Sequence, residues 1–204
     1  VINLLFVIMY TNNFLQRKQD VLSKLDKSSK EKWDKKIFRL CEKINNSSNY
    51  YTTSSCSGRI VIMVDQEKKA KGLFLKRYHN IISFNQLKKD LIEISKKNKK
   101  LIKFKQEPCI LHVACKNFSY AEKIYNKVKL GGWKKSGIIA SGKRLVVEMN
   151  GTEKLEFPIM SKGKILVDSF FLKLIVKKSN KNLKKSWERI EKLEKLEKLR
   201  NRKI

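Results

Sequence analysis

Apolar residues recur at spacings of three and four through Trp33, Ile37, Leu40, Cys41 and Ile44, the signature of an amphipathic helix. Ser28 or Ser29 supplies its start. A shorter helix is expected before it over Asn13–Leu25, with Phe14, Leu15, Val21, Leu22 and Leu25 inward. The polar run 45–49 leads into a Thr/Ser/Cys-rich segment read as a turn, after which Ile60–Val64 and Leu73–Tyr78 are apolar enough for strands. Gln86–Lys97 returns to helical spacing, and the lysines beyond it to Lys103 read as a solvated basic edge. Ile110–Cys115 is a nearly continuous apolar strand, of the kind usually covered on both faces. Ser119-Tyr120-Ala121-Glu122 has capping-box spacing and opens a helix that Gly131-Gly132 ends. Short strands follow around Gly137–Ala140, Leu145–Met149, Leu155–Phe157 and Ile165–Val167, then a helix over Ser169–Lys178.

The last stretch, Asn182–Lys203, is helical and low in complexity. Its apolar positions Ile190, Leu193, Leu196 and Leu199 recur every three residues, so the stripe drifts and its last turns are expected to be loosely packed or frayed. Strands and helices mix without regular βαβ alternation. The expected class is therefore α+β: a single domain with a layered mixed sheet, not a Rossmann fold, and a basic C-terminal helix. The expected divisions are 1–12 as an extension outside the fold, 13–180 as the domain and 181–204 as that helix. Residues Val1–Met9 are apolar but shorter than the ~20 residues a membrane helix needs. They also lack the features of a secretory signal. The expectation is that Met9 is the start or an upstream piece is missing, that no membrane is involved, and that the protein is cytoplasmic.

Charge changes this picture most. With 48 Lys+Arg against 19 Asp+Glu, the 204-residue chain carries +29. Such a surface attracts polyanions through counterion release, although abundant Lys, Asn and Ile can also reflect compositional drift. Cysteines 41, 56, 109 and 115 form no C-x-x-C pair, and the two histidines, His79 and His112, lie far from any such spacing. A reduced protein without a metal is the simplest reading.

The segment Tyr50–Ile60 concentrates the candidate chemistry. Ser54, Ser55, Cys56, Ser57, Gly58 and Arg59 offer hydroxyls, a thiol, open backbone and a guanidinium, the parts needed to hold a carboxylate or phosphate. An ordinary Ser/Gly turn with Arg59 in water is the competing reading, and Cys56 reads as a small turn cysteine unless a base lies near it. Asp26, Ser28, Lys30 and Asp34 gather at the start of the second helix, with Ser28 as N-cap and Asp34 one turn inside. His112 reads either as a hydrogen-bonded core residue or as a catalyst. His79, at a strand end beside Tyr78, suits a surface or site rim. No G-x-G-x-x-G follows the first strand and there is no Walker loop.

Taken together these motifs resemble the tRNA wybutosine-synthesizing protein 3 family. The resemblance is carried by Asp26-x-Ser28-x-Lys30-x-x-x-Asp34, by Tyr51 through Ile60, and by Glu107-Pro108-x-Ile110-Leu111-His112-Val113. Gly132-Trp133-Lys134-x-Ser136-Gly137-Ile138 and Glu156-x-Pro158 extend it. It implies an S-adenosylmethionine-dependent methyltransferase, monomeric and not Rossmann-like, that methylates N4 of the wybutosine precursor at position 37 of tRNA-Phe. On that likeness Ser54–Arg59 would hold the cofactor or a tRNA phosphate, and Asp34 or His112 would act as base. Asp26, Ser28, Lys30, His79 and Ser136 would touch the tRNA anticodon loop.

Overall fold

The computed structural model describes residues 13–23, 34–66, 72–141 and 144–198. They form helix α1 (13–22) and then, in chain order, α2 (Lys35–Asn45), β1 (Tyr50–Cys56), β2 (Arg59–Val64), β3 (Phe74–Tyr78) and α3 (Phe84–Lys97). Next come β4 (Ile102–Glu107), β5 (Ile110–Cys115), α4 (Phe118–Leu130), β6 (Lys135–Ser141) and β7 (Arg144–Asn150). The chain finishes with β8 (Leu155–Ser161), β9 (Lys164–Ile165) and α5 (Ser169–Lys198). The α+β class and the C-terminal helix are as expected, and no Rossmann sheet occurs among the described residues.

The strands divide between two antiparallel sheets, ordered β1-β5-β7-β6 and β3-β2-β4-β8-β9, rather than forming one mixed sheet. Two residues separate β1 from β2, the length of a tight hairpin loop. Yet β1 pairs with β5, and β2 with β3 and β4. Pairing thus goes to strands distant in sequence, which periodicity along one segment does not reveal. The chain correspondingly separates into two compact units. The first comprises residues up to Cys56, Ile110–Gly151 and Arg189 onward; the second comprises Ser57–Cys109 and Thr152–Glu188.

In the first unit, α2 packs on β1 and α4 packs on β5, β6 and β7. Ile37, Leu40, Cys41 and Ile44 of α2 are buried, as are Ala121, Ile124 and Val128 of α4. Asn45 fastens α2 to the sheet: its side-chain oxygen accepts from the Thr52 amide at 2.8 Å, and its amide group donates to the Thr52 hydroxyl at 3.0 Å. The opposite face is covered at one end by α1, where Phe14 packs on Tyr51 and Ala114. In the second unit, Ile60, Ile62, Phe104 and Ile102 face the buried side of the sheet with Leu87, Leu91, Leu172, Ile175 and Leu183. Gln106 is fully buried there. It accepts from Asn182 at 2.7 Å and donates to the Glu153 carbonyl at 3.2 Å, so no amide atom of its side chain goes unused.

Several local expectations shift for identifiable reasons. Asp34 is the N-cap of α2, accepting from the Lys36 amide at 3.2 Å, and does not lie one turn inside the helix. Asn117, not Ser119, caps α4, because its side chain reaches the Tyr120 amide at 3.2 Å. The expected basic edge around Lys103 is strand β4, whose alternate lysines face outward while Ile102 and Phe104 are buried. The two expected C-terminal helices are one, with Ile190 and Leu193 buried; the last turns expected to be loose extend beyond the described residues. Trp33, the Ser28 cap, and the extension 1–12 lie outside the described residues.

Candidate active site

The Thr/Ser/Cys segment is a strand for most of its length, which changes what it can present. Successive strand side chains point to opposite faces. Ser54 and Cys56 therefore share a face, while Ser55 lies on the other and hydrogen-bonds Cys41 of α2. Burial pushes the Cys41 thiol up to about 11, against that hydrogen bond, so it is no thiolate at neutral pH. Thr53 is the extra residue of a bulge between Thr52 and Ser54, and its side chain is exposed.

Register then aligns four residues across the first sheet. Ser54 on β1 sits opposite His112 on β5, His112 opposite Glu148 on β7, and Glu148 opposite Gly137 on β6. His112 Nε2 lies 2.7 Å from Glu148 Oε2, and its Nδ1 lies 3.4 Å from the Ser54 hydroxyl. Asn150, two residues along β7, donates to the other Glu148 oxygen at 3.0 Å. A carboxylate accepts only, so Glu148 fixes the imidazole with Nε2 protonated and Nδ1 as the free lone pair. The row is reachable: the His112 side chain is 28% exposed and Ser54 is exposed. Gly137 leaves the neighbouring position without a side chain. His112 is thus neither a core histidine nor an isolated one. It is a carboxylate-oriented base beside a hydroxyl on an open sheet face.

The remaining candidates of the first unit do not join this row. Asp34 serves as a helix cap. Ser136 lies opposite Met149, one residue out of phase with the row, and its hydroxyl donates to the Trp133 carbonyl at 2.8 Å. Asp26, Ser28 and Lys30 lie outside the described residues.

The rest of the segment belongs to the second unit, which the chain enters at Ser57. Gly58 has φ +101°, a conformation that L side chains rarely adopt. A Cβ there would meet the Glu107 carbonyl oxygen at 3.1 Å and Leu183 at 3.2 Å. Arg59 does not face water alone: its Nε donates to Glu107 Oε2 and its guanidinium lies 5.4 Å from the centre of the Phe74 ring. Arg77 approaches the same ring at 4.3 Å. Lys105 Nζ contacts the other Glu107 oxygen at 3.0 Å. Burial alone would raise the Glu107 pKa, but Arg59 and Lys105 outweigh it and hold the carboxyl below its usual range. An incoming anion would therefore have to share Arg59 with Glu107. His79 follows β3 and is exposed. Neither Glu148 nor Asn150 is a candidate from sequence: cross-strand register brings Glu148 to His112, and Asn150 reaches Glu148 along the same strand.

The chain as a whole is similar to known proteins. The profile of the family described as methyltransferase TYW3 matches residues 16–198. A protein of Methanocaldococcus jannaschii is 37% identical over 182 residues, covering 86% of this chain and 92% of its own. A protein of Archaeoglobus fulgidus is 35% identical over 177 residues, covering 85% and 87%. Both are named tRNA(Phe) 7-((3-amino-3-carboxypropyl)-4-demethylwyosine(37)-N(4))-methyltransferase. The solved structure of the PH1069 protein from Pyrococcus horikoshii superposes with a TM-score of 0.80 at 32% identity, covering 91% of this chain and 94% of that one. The family and its relatives thus define a methyltransferase built outside the Rossmann plan. The chain belongs to the methyltransferase TYW3 family.

Proposed function

We propose that this protein transfers a methyl group from S-adenosylmethionine to ring nitrogen N4 of the wybutosine precursor at position 37 of tRNA-Phe. The names of its relatives support the substrate, and the Ser54–His112–Glu148 row supports the chemistry. The exposed hydroxyls of Thr53 and Ser54 fit the polar amino-acid end of that cofactor, so the Ser54–Arg59 segment is the proposed holding element. When bound, the cofactor supplies an electrophilic methyl group on a sulfonium sulfur.

Methylating a ring N–H forms a nitrogen–carbon bond, breaks the sulfur–carbon bond and releases one proton from nitrogen. The chain's task is to position the acceptor and take that proton. His112 Nδ1 accepts it, and Glu148 stabilises the imidazolium that forms, because its carboxylate already receives the Nε2 proton. Ser54 donates to Nδ1 before the acceptor arrives and keeps the ring from turning. The +29 charge favours the polyanionic partner, and His79 is the proposed contact to the anticodon loop. A cytoplasmic location is part of the same proposal.

The test is mass spectrometry of nucleoside 37 after incubating the purified protein with methyl-labelled cofactor and demethylated precursor tRNA. A gain of one labelled methyl on N4 is expected. Retained tRNA binding without any gain would instead identify a non-catalytic RNA-binding protein with this fold.

A further inference from the structure

Within the second unit, the segment Ser169–Trp187 of α5 carries six lysines and no acidic residue. Its inward side is fully committed: Leu172, Ile175, Val176, Ser179, Asn182, Leu183 and Ser186 are all buried. The outward side has a different regularity. Phe170, Leu174, Lys177, Lys181 and Lys184 follow one another at steps of four, three, four and three, which keeps them on one stripe of the helix. That stripe extends about 21 Å at the usual rise of about 1.5 Å per residue. Phe170 is 77% exposed and Leu174 is 52% exposed, while neighbouring Phe171 packs edge-on against Phe157. All six lysines are exposed, and none of them forms an ion pair among the described residues.

Other lysine-rich helices of the molecule differ in this respect. Helix α3 interleaves its lysines with Asp90 and Glu93, and Glu93 pairs with both Lys76 and Lys97. Helix α4 carries Glu122, and α5 itself turns to alternating Lys and Glu from Glu188 onward. The Ser169–Trp187 segment presents its lysines on a helix without interleaved carboxylates, with the exposed Phe170 at its head.

We infer that the outward stripe of α5 from Phe170 to Lys184 is an RNA-binding surface, with Lys177, Lys181 and Lys184 on successive backbone phosphates and Phe170 stacking an unpaired base. The inference rests on the tRNA reading above and adds to it the face of the second unit that the RNA touches. A linear run of unpaired cations matches a linear polyanion, and a lone exposed ring at its end suits a base with a free π-face. A lipid surface fits less well, since Phe171 is engaged by Phe157 and the stripe itself offers two apolar side chains, Phe170 and Leu174, to insert.

The test compares binding of tRNA-Phe to the full chain across a salt series. Replacing Lys177, Lys181 and Lys184 together by Gln should lower the slope of log K against log salt by about two to three. A control with the exposed Lys89 and Lys96 of α3 and Lys100 beyond its end changed to Gln removes the same charge and should leave the slope nearly intact. Phe170→Ala should weaken binding roughly five- to a hundredfold with no change in slope. Equal slopes for the α5 and α3 variants would overturn the inference. So would α5 variants that keep full tRNA affinity but lose binding to phosphatidylserine vesicles. Methylation measured on the same samples decides the activity separately: wild-type protein that binds tRNA with the expected slope yet transfers no methyl defeats the enzymatic reading and not the surface.

Discussion

The outward faces of the two sheets are built by the same alternation and put to opposite uses. In the second sheet, cross-strand register lays cations beside carboxylates: Arg59 meets Glu107, Lys105 meets Glu107 and Glu156, and Lys103 meets Glu156 and Asp65. Each charge there is answered by its neighbour, which makes a solvated ladder worth little per pair. In the first sheet, the row Ser54–His112–Glu148 contains one carboxylate, one imidazole and one hydroxyl. Its hydrogen bonds run in one direction, from the exposed Ser54 hydroxyl through the imidazole to the Glu148 carboxylate, so an acceptor that displaces the hydroxyl meets the Nδ1 lone pair. Mutual neutralisation makes a surface inert, whereas a directed chain with an open end leaves capacity for chemistry.

The sharpest way to break this contrast is His112→Ala. Loss of the base should reduce single-turnover methylation of position 37 by about 10²- to 10⁴-fold, with the urea midpoint almost unchanged. Next in size, Glu148→Gln preserves shape but removes the charge that orients and stabilises the imidazole. A bond to a charged group is worth about 1.5–3 kcal/mol, so the methylation rate should fall roughly 10- to 100-fold while tRNA affinity is kept. A Glu148→Gln enzyme with wild-type turnover would show that the row is only structural.

At Gly58, where the chain enters the second unit, a substitution should register in stability. Gly58→Ala forces a side chain into positive φ against the Glu107 carbonyl, and urea unfolding should register a loss of about 1–3 kcal/mol.

The smallest effect is expected from the ladder under acid. The hydrogen bond from Lys154 first, then that from Lys103, hold the Glu156 carboxyl down to about 2 against the opposing effect of burial. A carboxyl lowered on folding contributes stability that is complete above its unfolded value of about 4.3 and is lost as pH falls through the folded one. Thermal melts from pH 5 to pH 2 should therefore show Glu156→Gln converging on wild type, from a difference of about 1 kcal/mol or less at pH 5. A gap that widens toward pH 2 would contradict the ladder's role.

Legibility from sequence followed how local each cause is. Strand β2 and helices α3 and α4 announce themselves because an apolar run or a helical stripe is a property of consecutive residues. Helix starts were less legible where two capping side chains compete, as Asn117 and Ser119 do. Strand β1 reads as a turn in sequence because its hydroxyls mimic turn composition; pairing with β5, across a bulge at Thr53, makes it a strand. Strand β4 was missed because lysines occupy its outward positions. Of the site, His112 and Ser54 were legible as residue types in recognisable motifs. Glu148 was not, since nothing near residue 148 signals that it will stand opposite residue 112.

By itself, then, the sequence determined the α+β content, the basic charge and the family, because composition, periodicity and short motifs survive without reference to the fold. Tertiary structure alone decided that Ser54 and Ser55 part to opposite faces, that Arg59 answers Glu107, and that a hydroxyl, an imidazole and a carboxylate form one row. Those outcomes depend on strand register, and a slip of one residue would turn every side chain of a strand to the other face. Register is set by which long-range pairing buries the most apolar surface. No single segment carries that comparison.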